Sequence, residues 1–205
     1  MRRTGVFVAA PAVTLLVAAA GSAARPAVTI SLSRPSVVYS GSVSLSGKVS
    51  NNKAGETVDV LAELSGATSF SVLGSATTTA GGHWTDTVKP TIETSYEAKW
   101  NGATSSMVTL KVRPLITLTL VNLSIGTFST KVTAARLLAG KFVLVQRLSS
   151  SGVVTQKKVI LDTNSSATFR VRLHQGRSRL RVVMPTSQTA PGYITGVSKV
   201  LTVSR

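Results

Sequence analysis

The 205-residue chain contains no cysteine. Disulfides are therefore excluded as staples, and each folding unit must be held by apolar burial. Thiolate zinc sites, iron–sulfur clusters and a cysteine nucleophile are excluded too, as is lipid attachment through an N-terminal cysteine. Acids are also scarce, with seven Asp/Glu against 23 Lys/Arg. Paired carboxylates for glycoside hydrolysis need two acids facing one cleft. Asp59 and Glu63, like Glu93 and Glu97, share a strand face by period two, a pattern that solvated faces also produce. No Asp-rich loop offers the oxygens a calcium ion requires. The two histidines, His83 and His174, fall in expected turns, and neither has a second His within ligand spacing. Neither a G-x-S-x-G elbow nor a glycine-rich phosphate loop occurs. The expectation is a protein that is not an enzyme, with no catalytic residue, no metal and no cofactor.

What is present is apolar and small. Hydrophobic residues make up 43% and charged residues 15%, too apolar a balance for a disordered chain. Val, Thr, Ser and Leu dominate, while aromatics amount to 5%. β-Branched and hydroxyl side chains suit pleated strands, so the fold class is all-β.

The first 24 residues read as an export signal. Arg2 and Arg3 supply the positive end, Gly5 to Ala20 an apolar run, and Gly21-Ser22-Ala23-Ala24 small residues for a peptidase. The alternative is a membrane anchor, but the run is about 16 residues against the roughly 20 a span needs, and Pro11 interrupts it. After cleavage no transmembrane segment is expected, and the mature chain is expected to be secreted, cell-surface associated or free.

Strand-like runs then recur: Val28–Ser33, Val43–Ser50, Thr57–Leu64, Phe70–Thr78, Trp84–Lys89, Ser95–Trp100 and Met107–Val112. Turn residues punctuate them, Ser40-Gly41, Asn51-Asn52, Ala54-Gly55, Gly81-Gly82 and Asn101-Gly102 among them. Such a series of short strands fits an immunoglobulin-like sandwich. The second half repeats the plan. Lys48-Val49, Ala54-Gly55 and Val58-Asp59-Val60 match Lys131-Val132, Ala139-Gly140 and Val143-Leu144-Val145, and the slot of Thr78–Trp84 is taken by Leu161–Ala167. A repeat of roughly 85–90 residues means two domains, not a solenoid. The expected boundaries are a signal peptide at 1–24, one β-sandwich at 25–113 and a second at 114–205, with Pro114 marking the joint.

Residues 30–113 carry a family resemblance. Gly47-Lys48-Val49, Ala54-Gly55-Glu56-Thr57-Val58, Thr77–Trp84, Val88-Lys89-Pro90 and Thr94-Ser95-Tyr96-Glu97-Ala98 together resemble the bacterial Ig-like repeats of secreted and cell-surface proteins. The second half has Leu180 and Val182 in place of Tyr96 and Ala98. The resemblance implies a β-sandwich used as spacer, stalk or adhesive unit, and it transfers no catalytic residue. Trp84, Trp100 and Tyr96 are expected to pack in the first core.

Charge divides the halves unequally. Residues 27–113 carry seven Lys/Arg against six acids; residues 114–205 carry thirteen against Asp162 alone, a net of +12. Phe169-Arg170-Val171-Arg172-Leu173 and Arg177-Ser178-Arg179-Leu180-Arg181-Val182 both alternate, with His174-Gln175-Gly176 between them. Read as a hairpin, they bring Arg170, Arg172, Arg177, Arg179 and Arg181 onto one patch. Either solvent and salt screen that patch, or an anionic cell-envelope polymer or polysaccharide occupies it, since arginine forks match such anions. Specific nucleic-acid reading is not expected, because no exposed aromatics alternate with the arginines. The competing expectation is a protein or carbohydrate ligand in a groove or at a sheet edge independent of the arginines. The chain is expected to be monomeric.

Overall fold

The computed structural model describes residues 25–205; the segment expected to be an export signal, 1–24, lies outside the described residues. Within 25–205 the fold is all-β. The helical elements are a single 3-10 turn at Ala80–Gly82 and one short helix, α1 (Thr186–Thr189).

The first half is built of β1 (Ser31–Leu32), β2 (Ser36–Val38), β3 (Val43–Lys48), β4 (Thr57–Leu64), β5 (Ser71–Thr77), β6 (His83–Val88), β7 (Thr94–Trp100), β8 (Ala103–Thr104) and β9 (Val108–Arg113). They form two sheets, β1-β3-β6 and β2-β9-β7-β4-β5, with β8 beside β7. Alternation explains the layering: Val43 and Leu45 of β3, Val58 and Val60 of β4, and Leu110 and Val112 of β9 are all buried in one core between the sheets. Each such side chain contributes about 1.5–3 kcal/mol by leaving water. Trp84, Tyr96 and Trp100 join that core, as expected. The Val28–Ser33 run is reduced to β1 and an isolated bridge between Val28 and Val49. The three-residue strand β2 was not legible, being too short for a periodic signal; it pairs parallel to β9.

A tight contact sits under Trp84. Gly47 faces inward beside it, and a Cβ there would lie 2.6 Å from the indole nitrogen and collide with the Thr29 carbonyl. Gly is the residue that lets the ring and the two backbones meet.

The second half repeats the order with β10 (Leu115–Asn122), β11 (Thr127–Thr133), β12 (Phe142–Ser149), β13 (Gly152–Ile160), β14 (Ser166–Arg170), β15 (Arg177–Met184), β16 (Gly196–Val197) and β17 (Leu201–Ser204). One sheet is β10-β11-β14; the other is β13-β12-β15-β16, with β17 also on β15. A second core lies between them. The internal repeat holds at the level of register. Lys48 faces His83 across β3–β6, and Lys131 faces Ser166 across β11–β14. Likewise Ala62 faces Tyr96 across β4–β7, and Arg147 faces Leu180 across β12–β15.

Pro114 separates β9 from β10, yet the packing crosses that point. Tyr193, from the segment after α1, is buried in the first core. The Glu93 amide donates to the Gly192 carbonyl at 2.9 Å, the Ile194 amide to that of Val112 at 2.9 Å, and the Arg113 guanidinium to that of Thr195 at 2.9 Å.

Candidate functional site

The five arginines read from sequence do not share a hairpin. β14 pairs with β11, and β15 pairs with β12 and β17, so the chain crosses from one sheet to the other between them. Arg170 ends β14 in one layer; Arg177, Arg179 and Arg181 lie on β15 in the other; Arg172 lies on the segment between. The reason is packing. A hairpin would put both apolar edges on one sheet and leave the facing sheet uncovered. The crossing instead lets Phe169 stack on Phe128 from one layer, centroids 6.2 Å apart, while Leu180 and Val182 are buried from the other.

The outward projection of the arginines survives in part. Arg170, Arg172, Arg177 and Arg179 are exposed, and Arg181 is half-buried, its Nε donating to Gln146 Oε1 at 2.9 Å. Arg177, Arg179 and Arg181 therefore form a row on the outer face of one sheet, spaced about 7 Å apart along β15 by the strand rise. Lys158 of β13, opposite Leu144 of β12, adds a cation to the same face, its ammonium 4.0 Å from the centroid of the Phe142 ring.

Among the described residues no side-chain carboxylate balances this charge. Among the described residues the one ion pair is Lys111–Glu93 at 3.5 Å, in the first half. Asp162, the single acid of residues 114–205, is committed to its own turn, Oδ1 accepting from the amides of Asn164 at 2.8 Å and Ser166 at 2.9 Å.

Sequence reasoning passed over Arg147. Its place in β12 continues the inward alternation of Val143 and Val145, and the side chain lies half-buried at that end of the second sheet pair. Nη2 donates to the Arg172 carbonyl at 2.7 Å, and Nε is buried without a partner. Around it lies a cleft of about 370 Å³ bordered by His174, Arg177 and Arg179. The corresponding end of the first half holds a smaller cleft of about 150 Å³ lined by Glu63, Leu64, Ser65, Glu93 and Ser95, the counterparts of Leu148, Ser149, Ser150, Arg177 and Arg179; a separate cleft of about 450 Å³ is lined by Ala62, Leu64, Leu73, Asp86, Lys89 and Tyr96. The signal for the difference was in the repeat: Arg147 and Leu180 occupy the positions of Ala62 and Tyr96.

Titration is shifted at Glu56, Tyr96 and Tyr193. Hydrogen bonds from Trp100 first, and then from Asn51, hold the Glu56 carboxyl below the usual glutamate range. Burial pushes the Tyr96 and Tyr193 phenols up. Among the described residues no group of three or more His, Asp or Glu is placed to hold a metal ion, and no helix is long and apolar enough to cross a membrane.

No protein-family model matches the chain, and no curated protein matches it. Among solved structures it is similar to a tetra-tandem repeat in the extending region of a large adhesion protein. The identity is 15% and the TM-score 0.36, over 87% of this chain and 49% of that one. The chain thus spans about half the length of that structure.

Proposed function

We propose that this chain is an exported, non-catalytic structural or adhesive module of two immunoglobulin-like β-sandwiches, the second of which anchors to an anionic cell-envelope polymer. Two repeated sheet pairs, each a three-stranded layer over a larger one, support the architectural part of that reading. The observation that carries the anchor is charge without counter-charge: thirteen cations in residues 114–205 and no ion pair among them in the described structure. The row Arg177, Arg179, Arg181 gives that charge a direction, since an extended polyanion lying along β15 meets one guanidinium at each outward position. The first half, nearly neutral, acts as the spacer.

Pull-down on isolated cell envelope at graded ionic strength tests the anchor. Binding at low salt is expected to be lost in about 1 M salt, where the screening length falls to about 3 Å. It is also expected to weaken at least tenfold when Arg177, Arg179 and Arg181 are changed together to Gln. Binding that survives high salt counts against it. The first-half cleft around Leu64, Leu73 and Tyr96 favours the second reading, a protein or carbohydrate ligand held in a groove; it requires binding indifferent to the triple variant.

A further inference from the structure

The two halves act as controls for one another at their equivalent clefts. In the first half the paired positions of the inner strands are Ala62 and Tyr96, both buried, and the counterpart cleft beside them carries two acids, Glu63 and Glu93. In the second half the same pair is Arg147 and Leu180. Leucine leaves unfilled part of the space a tyrosine ring takes, and the opposing alanine has become an arginine half-buried at that end of the sandwich. Three further cationic or imidazole residues, His174, Arg177 and Arg179, border the opening, together with Ser149 and Ser150.

We infer that this cleft is a discrete binding site for a phosphate group carried on a small molecule or on a polymer end. The inference rests on the anionic-polymer reading and gives it a chemical class. Arg147 is half-buried, with its Nε cut off from water and unpartnered, and a partly desolvated cation with no acidic side chain beside it is costly to hold. The only acid of the half is spent on its own turn, so the charge has no internal partner. Tetrahedral oxyanions accept several hydrogen bonds at once, and arginine forks with serine hydroxyls are the donors that match them. The volume, about 370 Å³, falls in the range of about 300–1,000 Å³ typical of small-ligand sites, room for a phosphate with its attached sugar or glycerol. The sheet-face row, by contrast, is open and selects only for charge. The site and the row are adjacent through Arg177 and Arg179, so a polymer lying on the row can end in the cleft.

Isothermal titration of the full chain with inorganic phosphate and with glucose 1-phosphate tests the site. Saturable one-to-one binding is expected, weakened at least tenfold by Arg177→Gln with Arg179→Gln, both exposed and safe for folding. It should be unchanged by Arg181→Gln with Lys158→Gln on the sheet face. Tighter binding of glucose 1-phosphate identifies an esterified group as the ligand, and tighter binding of inorganic phosphate identifies the free ion. Non-saturable binding, or equal loss in both double variants, overturns the site and leaves only a diffuse field. The two proposals fail separately. Envelope binding without saturable phosphate binding removes the cleft and keeps the surface anchor. Saturable phosphate binding without envelope retention does the reverse.

Discussion

The phenol of Tyr193 donates a hydrogen bond of 2.6 Å to the carbonyl of Thr91, a residue 102 positions earlier in the chain. The same oxygen accepts the Ala135 amide at 2.8 Å, and the Arg136 guanidinium lies 5.8 Å from the ring centroid. One side chain thus joins the loop after β6 to the loop after β11. Gly192 beside it lets the backbone come close to Ile92; a Cβ there would lie 2.5 Å from that side chain. This clasp, more than the single peptide link at Pro114, sets how the halves are joined.

Tyr193→Phe keeps the ring and removes both hydrogen bonds, leaving the Thr91 carbonyl and the Ala135 amide to find water. The cost is about 1–3 kcal/mol, the range for orphaning buried polar groups. Because the loss is confined to the joint, scanning calorimetry is expected to show unfolding that separates into two transitions. A single transition with an unchanged midpoint would show that the clasp does not couple the halves.

Alkali should act on the same contact. Burial raises the Tyr193 phenol, so its folded pKa lies above the unfolded value of about 10. A raised group contributes stability that is fully present below the unfolded value and is lost as pH rises through the folded one. A phenolate cannot donate to Thr91. Denaturant midpoints measured from pH 8 to 12 are expected to fall above about pH 10, and the fall should be smaller in Tyr193→Phe; the raised Tyr96 phenol accounts for the remainder.

Acid is expected to be read out by an indole. Trp100 Nε1 donates to Glu56 Oε2 at 3.0 Å, and Asn51 Nδ2 donates to Glu56 Oε1 at 2.8 Å. Both bonds favour the carboxylate and depress its pKa. The linked stability is present above the unfolded glutamate value of about 4.3 and is lost as pH falls through the lower folded value. In a Trp84→Phe background, Trp100 emission should change below about pH 4. That change should be absent in Glu56→Gln.

Much of this fold could be read from period two. The inward sets Val43 and Leu45, Val58 and Val60, or Leu180 and Val182, are visible as alternation because a strand turns every second side chain to the core. The same rule names an inward face without naming the sheet. Arg170-Val171-Arg172 and Arg179-Leu180-Arg181 therefore read equally well as a hairpin or as strands of opposite layers. Only long-range pairing, β14 to β11 and β15 to β12, separates the two. Contacts set by close approach were hidden for a related reason: Gly47 in a strand says that something comes near, and Trp84 is what comes near. Arg147 was hidden because an arginine in an alternating strand is ordinarily assigned to the outside. The aligned repeat, with buried Ala62 in its place, is what marks it as inward.

That substitution yields the sharpest test of cost against use. Arg147 holds a half-buried charge whose Nε has no partner, and replacing buried ionic groups by packed apolar ones is often neutral or stabilising. Arg147→Ala with Leu180→Tyr copies the first-half pair into the second half, where the register already matches. The Arg172 carbonyl loses its donor but lies next to an exposed residue and can be hydrated, so the expected outcome is equal or higher stability in urea. Phosphate binding should fall at least tenfold in the same variant. A protein that instead loses stability by several kcal/mol would mean that Arg147 is held for its bond to Arg172. In that case the charge would be a strut of the crossing between the sheets, with no ligand to wait for.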